Sequence, residues 1–427
     1  MTGIGEVSPS SNSRCSTRGG FVAATTIIAA AAVLATGCAT TGSAGSGHRA
    51  TSPAPSLAVT GAWTAPSGGA ESFDAVAALG ESDAWVVGWH RPLPSGTYTL
   101  TKHWDGRRWR AVPSPSPGSP AEPTRSSLDA VAVDAPDDAW AVGQWSPIEH
   151  VPPSYPLIEH WNGAKWTLVP VPSSGGRITD LDLAAVAAIS PTVAWAIGEG
   201  VAGGHFVTVF LGWNGTRWQY LPSPGALSVS GPAVISADDI WVVGDDKKRT
   251  LAEHWDGSKW TRVPTPNAFK DRIRNSGLGA VSGSSSDNVW AVGSYQSGPT
   301  SLDTSTLVEH WDGARWQLQP SPNGPPGAQG ERALVSIAAL SDTCALAVGS
   351  YGAGTVLPLT ERWDGIRWTT VPNKLLPGVT FAYLTSVVAV SPRYAWAIGD
   401  GDRGSFIEKW NGTSWRETYR ARIPKTV

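Results

Sequence analysis

The sequence predicts an all-β protein assembled from seven copies of one unit of about 51 residues. The first observation is a motif, Trp-(Asp/Asn)-Gly-x-x-Trp, that begins at Trp104, Trp161, Trp213, Trp255, Trp311, Trp363 and Trp410. The second is an apolar motif before each copy that ends at Gly88, Gly143, Gly198, Gly244, Gly293, Gly349 and Gly399. The third is the abundance of turn formers, with 48 glycines and 34 prolines in 427 residues, which fits short strands joined by turns.

Each unit is expected to contain four strands, as the second copy illustrates. Residues 128–133 and 139–142 are apolar runs of strand-forming residues, and residues 157–161 and 166–169 follow as two further strands. The Asn-Gly pair between the last two strands predicts a hairpin turn, because both residue types tolerate a positive φ. No stretch of this region has the periodicity of an amphipathic helix.

The hydrophobic pattern indicates how the units are arranged. The first two strands are apolar on both faces, so both faces need cover. A β-propeller provides that cover by packing each four-stranded blade between two neighbours. The third and fourth strands carry more charge, namely Glu159, His160 and Lys165, as expected of the outer strands of a blade. The sequence therefore predicts a seven-bladed β-propeller over residues 61–427, with four antiparallel strands per blade.

These motifs resemble a known class of proteins. The blade length, the glycine after the second strand and the Trp-bearing hairpin are similar to those of kelch and galactose-oxidase-type propellers, although the double glycine of kelch strands is absent. They are more similar still to the Trp-rich repeat lipoproteins that actinobacteria secrete. The resemblance covers residues 61–422. It implies a propeller fold but no particular activity, because propellers host many unrelated functions.

The hairpin tryptophans are predicted to be structural. A loop of two or four residues places Trp255 and Trp260 on the same face of their hairpin, where they can pack against the adjacent blade. A three-residue bulged turn would place them on opposite faces. With an even loop, His254 lies on the other face from Trp255.

The first 37 residues have the pattern of a bacterial lipoprotein signal peptide. Arg14 and Arg18 precede an uncharged, apolar run at residues 21–34, which has signal-peptide length. The run ends in Leu-Ala-Thr-Gly-Cys, which resembles a lipobox and predicts lipidation of Cys38. Residues 38–60 are rich in Gly, Ser, Ala and Pro, so we expect them to form a flexible tether. The expected location is extracytoplasmic, with the lipid anchoring the chain to the outer face of the cell membrane. A plain secreted protein and an uncleaved membrane anchor are the alternatives.

The closure of the ring is left open by the sequence. Residues 57–66 resemble one more hairpin of third and fourth strands, yet the seventh unit already has a fourth strand at Trp415. The N-terminal strand could join the last blade in two ways. It could displace the C-terminal strand, or it could add to it.

Composition and spacing argue against several kinds of site. A net charge of −3 with 16% charged residues gives no basic surface, so we expect no nucleic-acid partner. Once the signal is removed, Cys38 and Cys344 are the remaining cysteines, so we expect no disulfide framework and a buried or half-buried thiol at Cys344. Four histidines share one place beside the hairpin tryptophan of different blades: His103, His160, His254 and His310. We expect these to be structural, and we expect no metal or cofactor.

The candidate ligand-binding residues lie beyond the second strands. The loop from strand two to strand three and the loop from strand four to the next unit both vary in length, and both lie on one face of an up-and-down blade. Two positions after the second-strand glycine, five units carry aromatic or charged side chains: His90, Trp145, Asp246, Tyr295 and Tyr351. Stacking and hydrogen bonding by such residues suit a sugar or peptide ligand.

We interpret the chain as a monomeric propeller that binds a cell-wall glycan or a protein partner without catalysis. One alternative is a carbohydrate-active enzyme, a hydrolase or lyase, with its acid and base on the variable loops. Glu199, Asp246 and Asp400 are its candidate carboxylates. A second alternative is a purely structural envelope protein.

Overall fold

The computed structural model describes residues 69–421, apart from residues 93–95, 119–122, 149–152, 226–228, 247–248, 267–272, 298–303, 328–329 and 374–377. The predicted signal peptide, Cys38, the tether and residues 57–66 lie outside the described residues. Within the described part of the chain, no helix has the length and apolarity of a membrane span.

The chain forms seven separate four-stranded antiparallel sheets, and each sheet contains four strands in sequence order. Blade 1 contains β1 (Gly69–Gly80), β2 (Asp83–Pro92), β3 (Tyr98–Trp104) and β4 (Trp109–Val112). Blade 2 contains β5 (Thr124–Ala135), β6 (Asp138–Pro147), β7 (Tyr155–Trp161) and β8 (Trp166–Leu168). Blade 3 contains β9 (Thr179–Ser190), β10 (Val193–Ala202), β11 (His205–Trp213) and β12 (Trp218–Leu221). Blade 4 contains β13 (Val229–Ser236), β14 (Asp239–Asp246), β15 (Arg249–Trp255) and β16 (Trp260–Val263).

The last three sheets follow the same plan. Blade 5 contains β17 (Ile273–Ser285), β18 (Asn288–Ser297), β19 (Thr304–Trp311) and β20 (Trp316–Leu318). Blade 6 contains β21 (Glu331–Ser341), β22 (Cys344–Gly352), β23 (Leu357–Trp363) and β24 (Trp368–Thr370). Blade 7 contains β25 (Ala382–Ser391), β26 (Tyr394–Gly401), β27 (Phe406–Trp410) and β28 (Trp415–Arg420). The prediction of a seven-bladed propeller with four strands per blade is confirmed.

The first strand of each blade lies innermost. Each first strand contacts the first strand of the next blade, and β25 contacts β1, so the ring is closed. Ala75, Val76 and Ala77 of β1 are all fully buried, which shows that both faces of this strand are covered. The apolar pattern of the first two strands therefore reflects packing between two neighbouring blades, as expected.

Among the described residues, the ring closes without a strand shared between its two ends. β28 pairs with β27 as the fourth strand of blade 7, so the N-terminal segment does not displace it. Whether residues 57–66 add a further strand concerns residues outside those described. Blades 7 and 1 meet through side chains, since Trp104 and Trp109 of blade 1 pack on Trp396 at ring distances of 4.9 and 5.0 Å.

The hairpin tryptophans join neighbouring blades. Trp255 and Trp260 are paired across a four-residue loop with their rings 5.6 Å apart, which confirms the predicted even loop. Both pack on Phe210 of blade 3, at 5.9 and 5.2 Å. At five other interfaces the pair packs around the second-strand tryptophan of the preceding blade, which is Trp85, Trp140, Trp241, Trp290 or Trp396. The motif is thus an interblade contact.

Other predicted structural residues lie inside their own blades. The four histidines contact the residue that begins the second strand of the same blade, in the pairs His103–Asp83, His160–Asp138, His254–Asp239 and His310–Asn288. Each histidine ring also lies 4.2 to 4.5 Å from the second-strand tryptophan of its blade. Cys344 begins β22 and is buried, as predicted.

Not every charged residue of the outer strands is exposed to solvent. Glu159 on β7 is completely buried, because third strands such as β7 are covered by the first strand of the next blade. Its Oε2 accepts a hydrogen bond of 2.7 Å from Ser114 Oγ, in the linker that leaves blade 1. Glu361 of blade 6 repeats this contact with Ser321 of the preceding linker, also at 2.7 Å. These buried carboxyls therefore fasten each linker to the following blade.

Candidate functional site

The two faces of the propeller differ in their loops. We call the face that carries the two variable loops of each blade the upper face, and the face that carries the Trp hairpins the lower face. In blade 3 the upper-face loop is a two-residue turn at Gly203 and Gly204, whose φ values are 58° and 80°. Phe206 beside this turn is 67% exposed.

His90 and Trp145, two of the five predicted ligand residues, lie inside the blades. His90 is 2% exposed, and its ring lies 5.7 Å from that of Tyr98 on the neighbouring strand. Burial lowers the pKa of the His90 imidazole. Trp145 is 7% exposed and stacks on Tyr155 at 4.8 Å. Both side chains therefore have little free surface to offer a ligand.

The other three predicted residues keep some exposure. Asp246 is exposed and accepts a hydrogen bond of 2.9 Å from Arg262 Nη1. Tyr295 and Tyr351 are half-buried against the apolar cores of their interfaces, and burial raises the pKa of Tyr351. The five predicted residues are spread over blades 1, 2, 4, 5 and 6. Their role in ligand binding remains a prediction.

Carboxyls on the innermost strands form a more continuous feature. Asp74 and Asp129 are the extra residues of β-bulges in β1 and β5. Gly279 has the equivalent place in blade 5, where an added Cβ would lie 3.8 Å from the carbonyl oxygen of Leu334 and 4.0 Å from Cα of Val335 in blade 6. Bulges of neighbouring blades therefore adjoin one another around the central channel.

Asp74 and Asp129 are surrounded by burial and by other acids. Burial, together with the charges of Asp129 and Asp400, holds the pKa of Asp74 well above its usual range. Asp74 Oδ2 is shielded from solvent and has no hydrogen-bond partner among the described residues. Burial raises the pKa of Asp129 to about 6, to which the charge of Asp182 contributes.

Blade 3 continues this acidic surface. Burial raises the pKa of Asp182, and the nearby Asp180 adds to the effect. Burial and the charge of Asp182 raise the pKa of Glu199 on β10. Asp180 has a φ of 49°, a strained conformation for a non-glycine residue, and its Oδ1 accepts a hydrogen bond from the backbone N–H of Ser154 at 3.2 Å.

Blade 7 supplies the other end. Asp400 on β26 lies within electrostatic reach of Asp74. Tyr383 on β25 lies near both carboxyls. Burial raises the pKa of the Tyr383 hydroxyl, and the charges of Asp400 and Asp74 add to the effect. We call the five carboxyls that run from blade 7 through blades 1 and 2 to blade 3 the acidic arc. They are Asp400, Asp74, Asp129, Asp182 and Glu199.

The acidic arc breaks the symmetry of the ring. The bulge residues of blades 5 and 6 are Gly279 and Val335 instead of aspartate. In blade 5, Gly277 faces Asp245 of blade 4. A Cβ added at Gly277 would lie 3.6 Å from the Cβ of Asp245. Since blades 5 and 6 close the same ring without acidic bulges, the fold does not require Asp74 and Asp129. Their presence on one side of the channel therefore points to a ligand.

The geometry of the acidic arc does not match a metal site. Among the described residues, no group of three His, Cys, Asp or Glu side chains is placed to hold one metal ion. The carboxyls instead distribute their charge along four consecutive blades. Such an arrangement can hold several cationic groups in a row, and it can keep one carboxyl protonated beside another that is ionised.

Only part of this cluster is predicted from the sequence. Glu199 and Asp400 were identified as candidate carboxylates, whereas Asp74, Asp129 and Asp182 were missed. A signal was present, because Asp74 and Asp129 each interrupt an apolar first strand immediately before the same Ala-Val-Ala sequence. An acid at this position in an inner strand needs an explanation that packing does not supply.

Comparison with known proteins supports the fold. No family model and no curated protein matches this chain. Among solved structures, a prolyl endopeptidase is 10% identical with a TM-score of 0.50, over 84% of this chain and 51% of that one, so the chain spans about half of the peptidase. The polysaccharide lyase Uly1 is 10% identical with a TM-score of 0.49, over 80% and 90% of the two chains.

A third structural match is the β-propeller domain of the trilobed protease from Pyrococcus furiosus, whose topology is described as open velcro. It is 9% identical with a TM-score of 0.48, over 83% of this chain and 99% of that domain. At these identities the likeness concerns the fold alone. This chain is an all-β, seven-bladed propeller, and its function has to be argued from its own side chains.

Proposed function

We propose that this chain is a monomeric, lipid-anchored, extracytoplasmic propeller whose upper face binds a ligand or a protein partner without transforming it. The contrast between the two faces supports this proposal. The lower face repeats one Trp hairpin around the ring, whereas the upper face varies from blade to blade and includes the acidic arc and the exposed Phe206. Variation on a repeated scaffold is typical of binding surfaces.

The proposed anchoring rests on the lipobox-like sequence at Cys38 and on the tether at residues 38–60. We expect mass spectrometry of the mature protein to find Cys38 as its first residue, carrying a lipid. An unmodified N-terminus downstream of Cys38 would show that the chain is not anchored in this way. Tyr295 and Tyr351 would then still be available on a secreted propeller.

The proposed ligand is a cell-wall glycan or a protein partner, and the half-buried Tyr295 and Tyr351 supply aromatic surface for it. We expect the double variant Tyr295→Ala/Tyr351→Ala to bind about tenfold more weakly in glycan and peptide arrays probed with the full chain. Ile366→Ala is the matched control, because Ile366 is exposed on a lower-face hairpin. Binding that the tyrosine variant leaves unchanged would rule out this part of the upper face. A chain that binds nothing would instead be the purely structural envelope protein.

A carbohydrate-active enzyme is the second candidate, and one observation favours it. Burial raises the pKa of Asp129 to about 6 and also raises that of the neighbouring Asp182, and a carboxyl that holds its proton near neutral pH can serve as a general acid beside a second carboxyl. Incubating the same glycans with the chain tests this candidate. New reducing or unsaturated ends that disappear with Asp129→Asn would replace binding by catalysis as the function.

A further inference from the structure

We propose that the acidic arc binds an extended polycation, a flexible chain that carries several ammonium or guanidinium groups, along the channel wall of blades 7, 1, 2 and 3. This inference rests on the proposed binding function of the upper face and names the chemical class of one ligand. The same chemistry is found in aliphatic polyamines and in Lys-rich or Arg-rich peptides.

Among the described residues, no positive charge compensates three carboxyls of the acidic arc. The charges that act on Asp74, Asp129 and Glu199 are those of other carboxyls: Asp129 and Asp400 on Asp74, Asp182 on Asp129, and Asp182 on Glu199. Mutual repulsion of this kind destabilises the unliganded protein. A bound cation would reverse the sign of that interaction.

The Asp74 carboxyl lacks a hydrogen-bond donor at one of its two oxygens. Its Oδ2 is shielded from solvent, and it has no hydrogen-bond partner among the described residues. A shielded polar atom without a partner costs free energy, and a bound ligand that supplies a donor would remove that cost. Asp74 lies at the middle of the acidic arc, between Asp400 of blade 7 and Asp129 of blade 2. An ammonium group placed there would supply the missing donor.

The placement of the carboxyls favours an extended ligand over a single ion. The described carboxyls do not converge in threes on one metal position. They occur instead on consecutive blades, and each interacts with the next one along the arc. A ligand with several separated charges can satisfy such a row, whereas one small ion can satisfy only part of it.

The residues around the acidic arc also suit a flexible cationic ligand. Tyr383 lies near Asp400 and Asp74 and offers an aromatic ring beside the carboxyls, a setting that favours ammonium and guanidinium groups. On blade 5, Gly277 and Gly279 occupy the corresponding places of the inner strand and take little room. The channel is therefore acidic on one side, and the small residues on blade 5 leave space for a flexible aliphatic chain.

The test is titration calorimetry of the full chain with spermine and with pentalysine at low ionic strength. We expect the double variant Asp74→Asn/Asp129→Asn to bind about tenfold or more weakly than the natural protein, and added salt to weaken binding of the natural protein. Glu331→Gln is the matched control, since Glu331 is an exposed acid at the start of β21 that lies outside the acidic arc. Affinity for spermine alone would assign the site to small polyamines, and affinity for pentalysine alone would assign it to basic peptides.

A second measurement separates ligand binding from stability. Because burial and neighbouring carboxyls disfavour the ionised forms of Asp74 and Asp129, and asparagine is neutral at every pH, the double asparagine variant should melt at the same or a higher temperature than the natural protein while losing affinity. Equal affinity of the natural protein and the double variant for both polycations would overturn the inference, as would no detectable binding to either. If the arrays still identify a glycan or peptide ligand of the upper face, only the polycation assignment fails. If they identify none, the proposed binding function fails with it.

Discussion

Buried glutamates on the third strands are the residues on which pH should act most strongly. Burial raises the pKa of Glu159 and Glu309 to about 8, and it raises the pKa of Glu361 and Glu408 to about 7. In the unfolded chain these groups titrate near 4.5. The folded state therefore holds extra protons between these values. Their stabilising effect is complete below pH 4.5 and is lost as the pH rises through 7 and 8.

We therefore expect the melting temperature of the full chain to fall as the pH is raised from about 5 to about 9. Glu159→Gln should reduce this slope, because the amide stays neutral at every pH and its oxygen can still accept the hydrogen bond from Ser114. Thermal melts at several pH values give the comparison. Glu331→Gln is the control, since Glu331 is exposed. A variant of Glu159 with the same pH slope as the natural protein would show that this carboxyl is not protonated in the folded state.

At the scale of the strand and the hairpin, the sequence predicts most of the fold because its period is read directly. Trp-(Asp/Asn)-Gly-x-x-Trp defines the third and fourth strands, and the four-residue loop it encodes brings Trp255 and Trp260 together in the structure. The apolar second-strand motif in turn supplies residues such as Trp85, around which the next pair packs. Local pattern and tertiary contact agree here, and the prediction holds.

The same reasoning fails where a neighbouring blade decides the environment. Glu159 looks like a solvated residue in its own strand, but the first strand of the next blade and the linker serine Ser114 cover it. Asp74 and Asp129 look like single acids in two separate repeats, and only closure of the ring places them in one acidic arc. His90 and Trp145 occupy the predicted positions, yet they pack against tyrosines of the adjacent strand. Strand period predicts elements, whereas contacts between blades determine the site.

At the scale of the whole molecule, one interface has to hold without a chain connection. Blade 7 and blade 1 are the two ends of the described ring, and Lys102 of blade 1 fills the place where blades 2, 4, 5, 6 and 7 have glutamate. Lys102 is 4% exposed, its Nζ lies 3.0 Å from Glu71 Oε1, and it lies 4.6 Å from the ring centroid of Tyr419 in blade 7. Tyr419 also donates a hydrogen bond of 3.0 Å to Glu71 Oε2. Both charged residues belong to blade 1, and their ion pair contacts blade 7 through Tyr419.

Restoring the residue that most of the repeats have should thus weaken this blade. Lys102→Glu would bury a second carboxylate beside Glu71, and we expect a loss of about 3–5 kcal/mol in the free energy of unfolding, as for other broken buried pairs. Urea unfolding of the full chain measures the loss. The reversed pair Glu71→Lys/Lys102→Glu should recover part of it, because opposite charges then meet again within blade 1 beside Tyr419. If Lys102→Glu were as stable as the natural protein, the ion pair between Lys102 and Glu71 and its contacts with Tyr419 would contribute nothing to closure of the ring.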